Sequence, residues 1–73
     1  MGHLAREFPR CDVLDELEAA VVLRRRVNLG LRDHTTKKGL PVDVVTKDGE
    51  DFVHFLRQKP IPVSTIRWVV PEQ

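Results

Sequence analysis

Tyrosine is absent from this 73-residue chain, and only Phe8, Phe52, Phe55 and Trp68 supply aromatic bulk. Val and Leu must therefore carry the core. That core is thin, because a domain this small buries only about 60% of its unfolded surface. A single cysteine, Cys11, excludes an internal disulfide and fits a reducing compartment. The four glycines (2, 30, 39 and 49) never cluster, so no phosphate-cradling glycine loop is present. The longest apolar run, residues 19–23, falls far short of the roughly 18 residues that span a bilayer. The first residues have no signal-peptide plan. Arg6 stands where a myristoylation signal beginning Met1-Gly2 carries Ser or Thr. A cytoplasmic protein is the expectation.

A large charge of one sign is also missing. Twelve basic residues offset eleven acidic ones, for a net charge of +1. A nucleic-acid binder usually shows a clear basic excess. The charge is segregated instead. Asp12, Asp15, Glu16 and Glu18 fall together with no base among them, and Arg24, Arg25 and Arg26 are consecutive. What is present in quantity is hydrophobic residues, 41% of the chain, too many for a disordered protein.

Residues 1–10 read as a flexible arm, since Pro9 disfavours helix at Phe8. A helix is expected over about residues 12–24. Asp12 suits its N-cap, and Asp15 follows three positions later. Val13, Leu17, Ala20 and Val21 form a one-sided apolar stripe, widened by Leu14. Acids at the start and arginines at the end complement the helix dipole. From Val27 the apolar period becomes two: Val27, Leu29 and Leu31 alternate with polar or small residues. Residues 33–38 read as a turn and 39–47 as a strand, with Pro41 marking an edge or a bend. Asp48-Gly49 is the strongest hairpin signal in the chain. A strand over 51–56, a loop over 57–62 and a last strand over 63–70 follow, with Ile66, Trp68 and Val70 on one face. The fold class is mainly β with one N-terminal α-helix. Residues 11–71 form a single domain in which a small, strongly bent antiparallel sheet or barrel is covered by the helix.

Chemistry finds little support. His3, His34, His54 and Cys11 match no zinc spacing, so no metal or other cofactor is expected. Cys11 before a helix start would have a lowered pKa, but a buried structural cysteine is the expected role. A chain this small leaves little room for a catalytic pocket, and a non-enzyme is expected. Arg24, Arg25, Arg26, Lys37 and Lys38 compose a basic patch. A single-strand binder would pair it with stacking aromatics, whereas the aromatics here alternate as core residues. The carboxylates of residues 12–18 are either a solvated helix face or a patch that docks on a basic surface.

The pattern Cys11-Asp12-x-x-Asp15-x-Leu17-Glu18-x-Ala20, followed by Val27-x-Leu29-x-Leu31-x-Asp33, resembles the opening of the bacterial Rho-binding antiterminator family. Residues 42–53 and Ile66 are similar to that family's middle and closing strands. The resemblance implies a small Sm-like barrel. It further implies binding to the Rho transcription-termination factor, whose primary RNA-binding site it would block. It assigns the contact to Asp12, Asp15 and Glu18, with Glu16 as a lesser addition. The alternative is an Sm-like RNA-binding module using Arg24, Arg25, Arg26, Lys37 and Lys38. A monomer is expected, because Pro41, Pro60 and Pro62 blunt the strand edges.

Overall fold

The computed structural model of the protein describes residues 7–72. Residues 1–6 of the expected arm lie outside them. Its remainder is docked rather than loose. Phe8 donates its N–H to the Arg67 carbonyl at 2.7 Å, and its ring packs against the core. Glu7 pairs with Arg32 at 2.6 Å.

The helix α1 runs from Arg10 to Leu23. It starts two residues before the expected position because Pro9, not Asp12, is the capping residue. Extended backbone at Pro9 lets its carbonyl accept the N–H groups of Asp12 and Val13. Asp12 lies inside the first turn, where a carboxylate still complements the helix dipole. At the other end Arg24 is left-handed (φ 54, ψ 51). Its N–H bonds Val21 O while the Arg25 N–H reaches Ala20 O, the two bonds of a Schellman ending. The arginines therefore lie beyond the helix, and its last turn carries no base.

Six strands follow: β1 (Val27–Leu31), β2 (Thr36–Gly39), β3 (Pro41–Lys47), β4 (Glu50–Phe55), β5 (Ile61–Pro62) and β6 (Ile66–Pro71). They form two antiparallel three-stranded sheets, ordered β2-β1-β6 and β3-β4-β5. The chain passes from the first sheet to the second through a single residue, Leu40, beside the expected bend at Pro41. It returns through a 3-10 turn, Val63–Thr65, where continuous strand was expected. Strand also appears at the C-terminal end of both segments expected to be turn or loop: Thr36–Gly39 pairs with β1, and Ile61–Pro62 pairs with β4.

The two hairpins differ in their turns. Asp48 (φ 53) and Gly49 (φ 79) are both left-handed between paired Lys47 and Glu50, a two-residue type I′ link. Between β1 and β2 the loop is longer. His34 donates its N–H to Leu31 O, Leu31 donates to Thr35 O, and His34 takes φ 71. Asp33 secures this loop by accepting the Thr35 N–H at 3.0 Å and the Thr35 hydroxyl at 2.6 Å. Both bonds favour the ionised carboxyl, so the Asp33 pKa is lowered.

The core joins Val13, Leu17 and Ala20 of α1 to Val27, Leu29 and Leu31 of β1, Val53 and Phe55 of β4, and Ile61, Val63, Ile66 and Val69. The helix stripe and the β1 alternation fall as the pattern predicts. In β6 the pattern reverses. Pairing with β1 shifts register between Gly30, which faces Trp68, and Leu31, which faces Ile66, so that the bulge falls at Arg67. One extra residue flips every following side chain to the other face. Val69 is consequently buried, while Trp68 is half-buried on the outer face and Val70 is exposed. The bulge leaves the Arg67 carbonyl to Phe8, which is how the N-terminal segment is held. Trp68 lies over Gly30, its pairing partner, where an added Cβ would meet the indole at 2.1 Å.

Candidate functional site

Helix α1 packs its Val13-Leu17-Ala20 stripe against β3, β6 and the 3-10 turn. The opposite side is left to solvent. Asp12, Asp15 and Glu18 follow each other at three-residue steps, about 60° apart around the axis and about 9 Å from first to last. All three are exposed, and among the described residues none forms an ion pair. Glu16, one residue before the fully buried Leu17, falls to the side of this arc and is half-buried. The structure therefore gathers three of the four predicted carboxylates on one face and sets the fourth apart.

Cys11 is exposed, not buried as expected, with its thiol 3.9 Å from Asp12 Oδ1. The stripe begins at Val13, and position 11 falls on the solvent side of the first turn. Among the described residues no group of three or more His, Cys, Asp or Glu is placed to hold a metal ion.

The residues of the predicted basic patch are all exposed and lie in different settings. Arg26 is held by Glu72 at 2.7 Å. Arg24 borders a cleft of about 390 Å³ with Val21, Leu40, Pro41 and Val42. Lys37 and Lys38 are adjacent on β2, so their side chains leave opposite faces of the strand. Two other cations are used to fasten the helix and the N-terminal segment. Arg10 pairs with Asp51 at 3.3 Å, tying the first turn of α1 to the β3–β4 hairpin. Arg32 bonds both Glu7 and the Ser64 carbonyl, and its hydrogen bond and charge lower the Glu7 pKa.

The outer sheet faces hold two further features. A cleft of about 440 Å³ has Val45, Phe52 and Pro62 as its floor, with Lys47, His54, Lys59 and Pro60 around it. None of these residues stands out by composition. The signal that groups them is the Asp48-Gly49 turn: a two-residue link pairs Lys47 with Glu50 and Val45 with Phe52, which sets their side chains on one face. A shallower hollow of about 260 Å³ is lined in part by His34, Arg67 and Trp68. Phe55 is a core residue as expected, but Phe52 and Trp68 are half-buried and face outward.

The last turn of α1 presents Val22 and Leu23 with 78% and 58% of their surfaces exposed, the highest values among its large apolar residues. No helix among the described residues is long and apolar enough to cross a membrane. No family model matches the chain, and no curated protein or solved structure matches it.

Proposed function

We propose that this protein binds the Rho transcription-termination factor and occludes its primary RNA-binding site, reducing termination by stoichiometric blockade without turnover. The observation that carries this reading is the Asp12-Asp15-Glu18 face, three exposed carboxylates with no ion pair among the described residues. They lie on a helix whose other side is locked into the core. A surface that binds RNA is basic, and carboxylates held in a rigid row occupy it as phosphates do. The resemblance of residues 11–33 to the Rho-binding antiterminator family supplies the partner. An Sm-like barrel is part of the same proposal. Its support is the order of one helix and then a bent antiparallel meander, with the chain crossing between sheets at Leu40 and through the 3-10 turn.

The test is a titration of purified Rho with the wild-type chain and with Asp15→Lys/Glu18→Lys. Binding is expected to weaken with rising salt, since exposed charges are screened beyond about 8–10 Å at physiological ionic strength. It is expected to vanish in the double variant while its circular dichroism stays unchanged. Undiminished affinity in that variant removes the assignment.

Direct RNA binding is the second reading. One observation favours it: Phe52 and Trp68 face outward beside cations, as stacking platforms do. Tight, salt-sensitive binding of a generic single-stranded RNA by the protein alone, lost on Phe52→Ala, would select this reading over the first.

A further inference from the structure

The outer face of α1 changes character along its length. Asp12, Asp15 and Glu18 occupy it from the first turn to the middle, and Val22 and Leu23 occupy its last turn. Val22 lies four residues after Glu18, one turn or about 6 Å further along the same side. A β-branched residue on the solvent side of a helix gains nothing from local propensity. With 78% and 58% of their surfaces exposed, Val22 and Leu23 also contribute little to the core. A chain this short has few large aliphatic side chains to spare, yet two of them are held outward in succession.

We infer that Val22 and Leu23 are the apolar half of the docking surface and cover aromatic side chains of the partner. The inference rests on the docking reading above and names the chemistry of the surface that receives the helix. A face made for single-stranded nucleic acid combines cations for the backbone with exposed aromatics on which bases stack. Carboxylates answer the cations and leave the aromatics uncovered. An aliphatic pair one turn beyond the last carboxylate covers them. The carboxylate row and the aliphatic pair thus stand in for the two parts of a nucleotide, phosphate and base. The adjoining cleft, lined by Val21, Leu40, Pro41 and Val42 with Arg24 at its border, continues from the helix end onto β3. A second copy of this chain is a poorer occupant, because antiparallel pairing of two such helices would set one copy's carboxylates against the other's aliphatics.

The test compares the full chain with Val22→Ser/Leu23→Ser and with Asp15→Lys/Glu18→Lys, each titrated into purified Rho at about 0.1 M and about 0.5 M salt. Val22→Ser/Leu23→Ser is expected to weaken binding about tenfold or more at both concentrations, because apolar burial is lost whatever the salt. Its dependence of log affinity on log salt should keep the wild-type slope, because the carboxylates that set it are intact, whereas the carboxylate variant should not bind at either concentration. Wild-type affinity in Val22→Ser/Leu23→Ser at both concentrations, with the carboxylate variant failing to bind, overturns this inference and leaves the docking reading standing. A wild-type chain that does not bind Rho removes both. Sedimentation of the protein alone supplies a further check: concentration-dependent dimers abolished by Val22→Ser/Leu23→Ser would assign these side chains to self-association and overturn the inference.

Discussion

The two sides of α1 are built to opposite specifications. Val13, Leu17 and Ala20 are almost wholly buried and join the helix to both sheets. Asp12, Asp15 and Glu18, turned the other way, are exposed and form no ion pair among the described residues. The outer faces of the sheets are intermediate, since Trp68 covers Gly30 and Phe52 floors a cleft. Side chains that the fold does not use, on an element that the fold holds rigidly, are free to serve a partner at little cost in stability.

The strongest way to break this contrast is Leu17→Ala. It removes a fully buried side chain and should cost about 2–5 kcal/mol, a large share of the stability of a domain this size. Urea denaturation is expected to show most of the chain unfolded or close to it. Gly30→Ala tests the outer sheet face. The added methyl must displace the indole, with an expected loss of about 1–3 kcal/mol and a red-shifted Trp68 emission. Asp15→Lys/Glu18→Lys, by contrast, should change stability by no more than about 1 kcal/mol while abolishing partner binding. Arg24→Gly relieves a left-handed arginine and is expected to raise the melting midpoint, with a gain of up to about 1 kcal/mol. It also removes one charge of the basic patch, so unchanged RNA affinity in this variant would count against that patch as a binding site. The smallest effect is acid sensitivity. Glu7 and Asp33 both have folded pKa values below their ordinary 4.5 and 3.8. Their contribution is complete above those values and is lost as pH falls through the lowered ones. The denaturation midpoint should therefore drop in that acid range, and less so in Asp33→Ala or Glu7→Gln.

Legibility followed the range of the forces involved. The α1 stripe is a one-turn repeat and Asp48-Gly49 a local conformational preference, and both stand in the fold where the sequence puts them. The grouping of Asp12, Asp15 and Glu18 on one face follows from helical spacing alone. Errors arise where distant segments meet. The alternation of Ile66, Trp68 and Val70 is sound for an unbroken strand, but the bulge at Arg67 inverts it, at the point where β6 pairs with β1 and its Arg67 carbonyl accepts the Phe8 N–H. Asp12 is a good capping residue by type. Pro9 nevertheless provides the cap, through its backbone carbonyl, and Arg10 extends the first turn to reach Asp51.

By itself the sequence determined a short amphipathic helix, a set of antiparallel strands and a clustered acidic face, because these depend on neighbours within a turn or a hairpin. Only tertiary structure decided that Trp68 and Phe52 face outward, that Arg26 is held by Glu72, and that Val22 and Leu23 remain uncovered. Those outcomes depend on strand register and on where the helix ends against β3, β6 and the 3-10 turn. Such long-range contacts select among arrangements that local preferences leave equal.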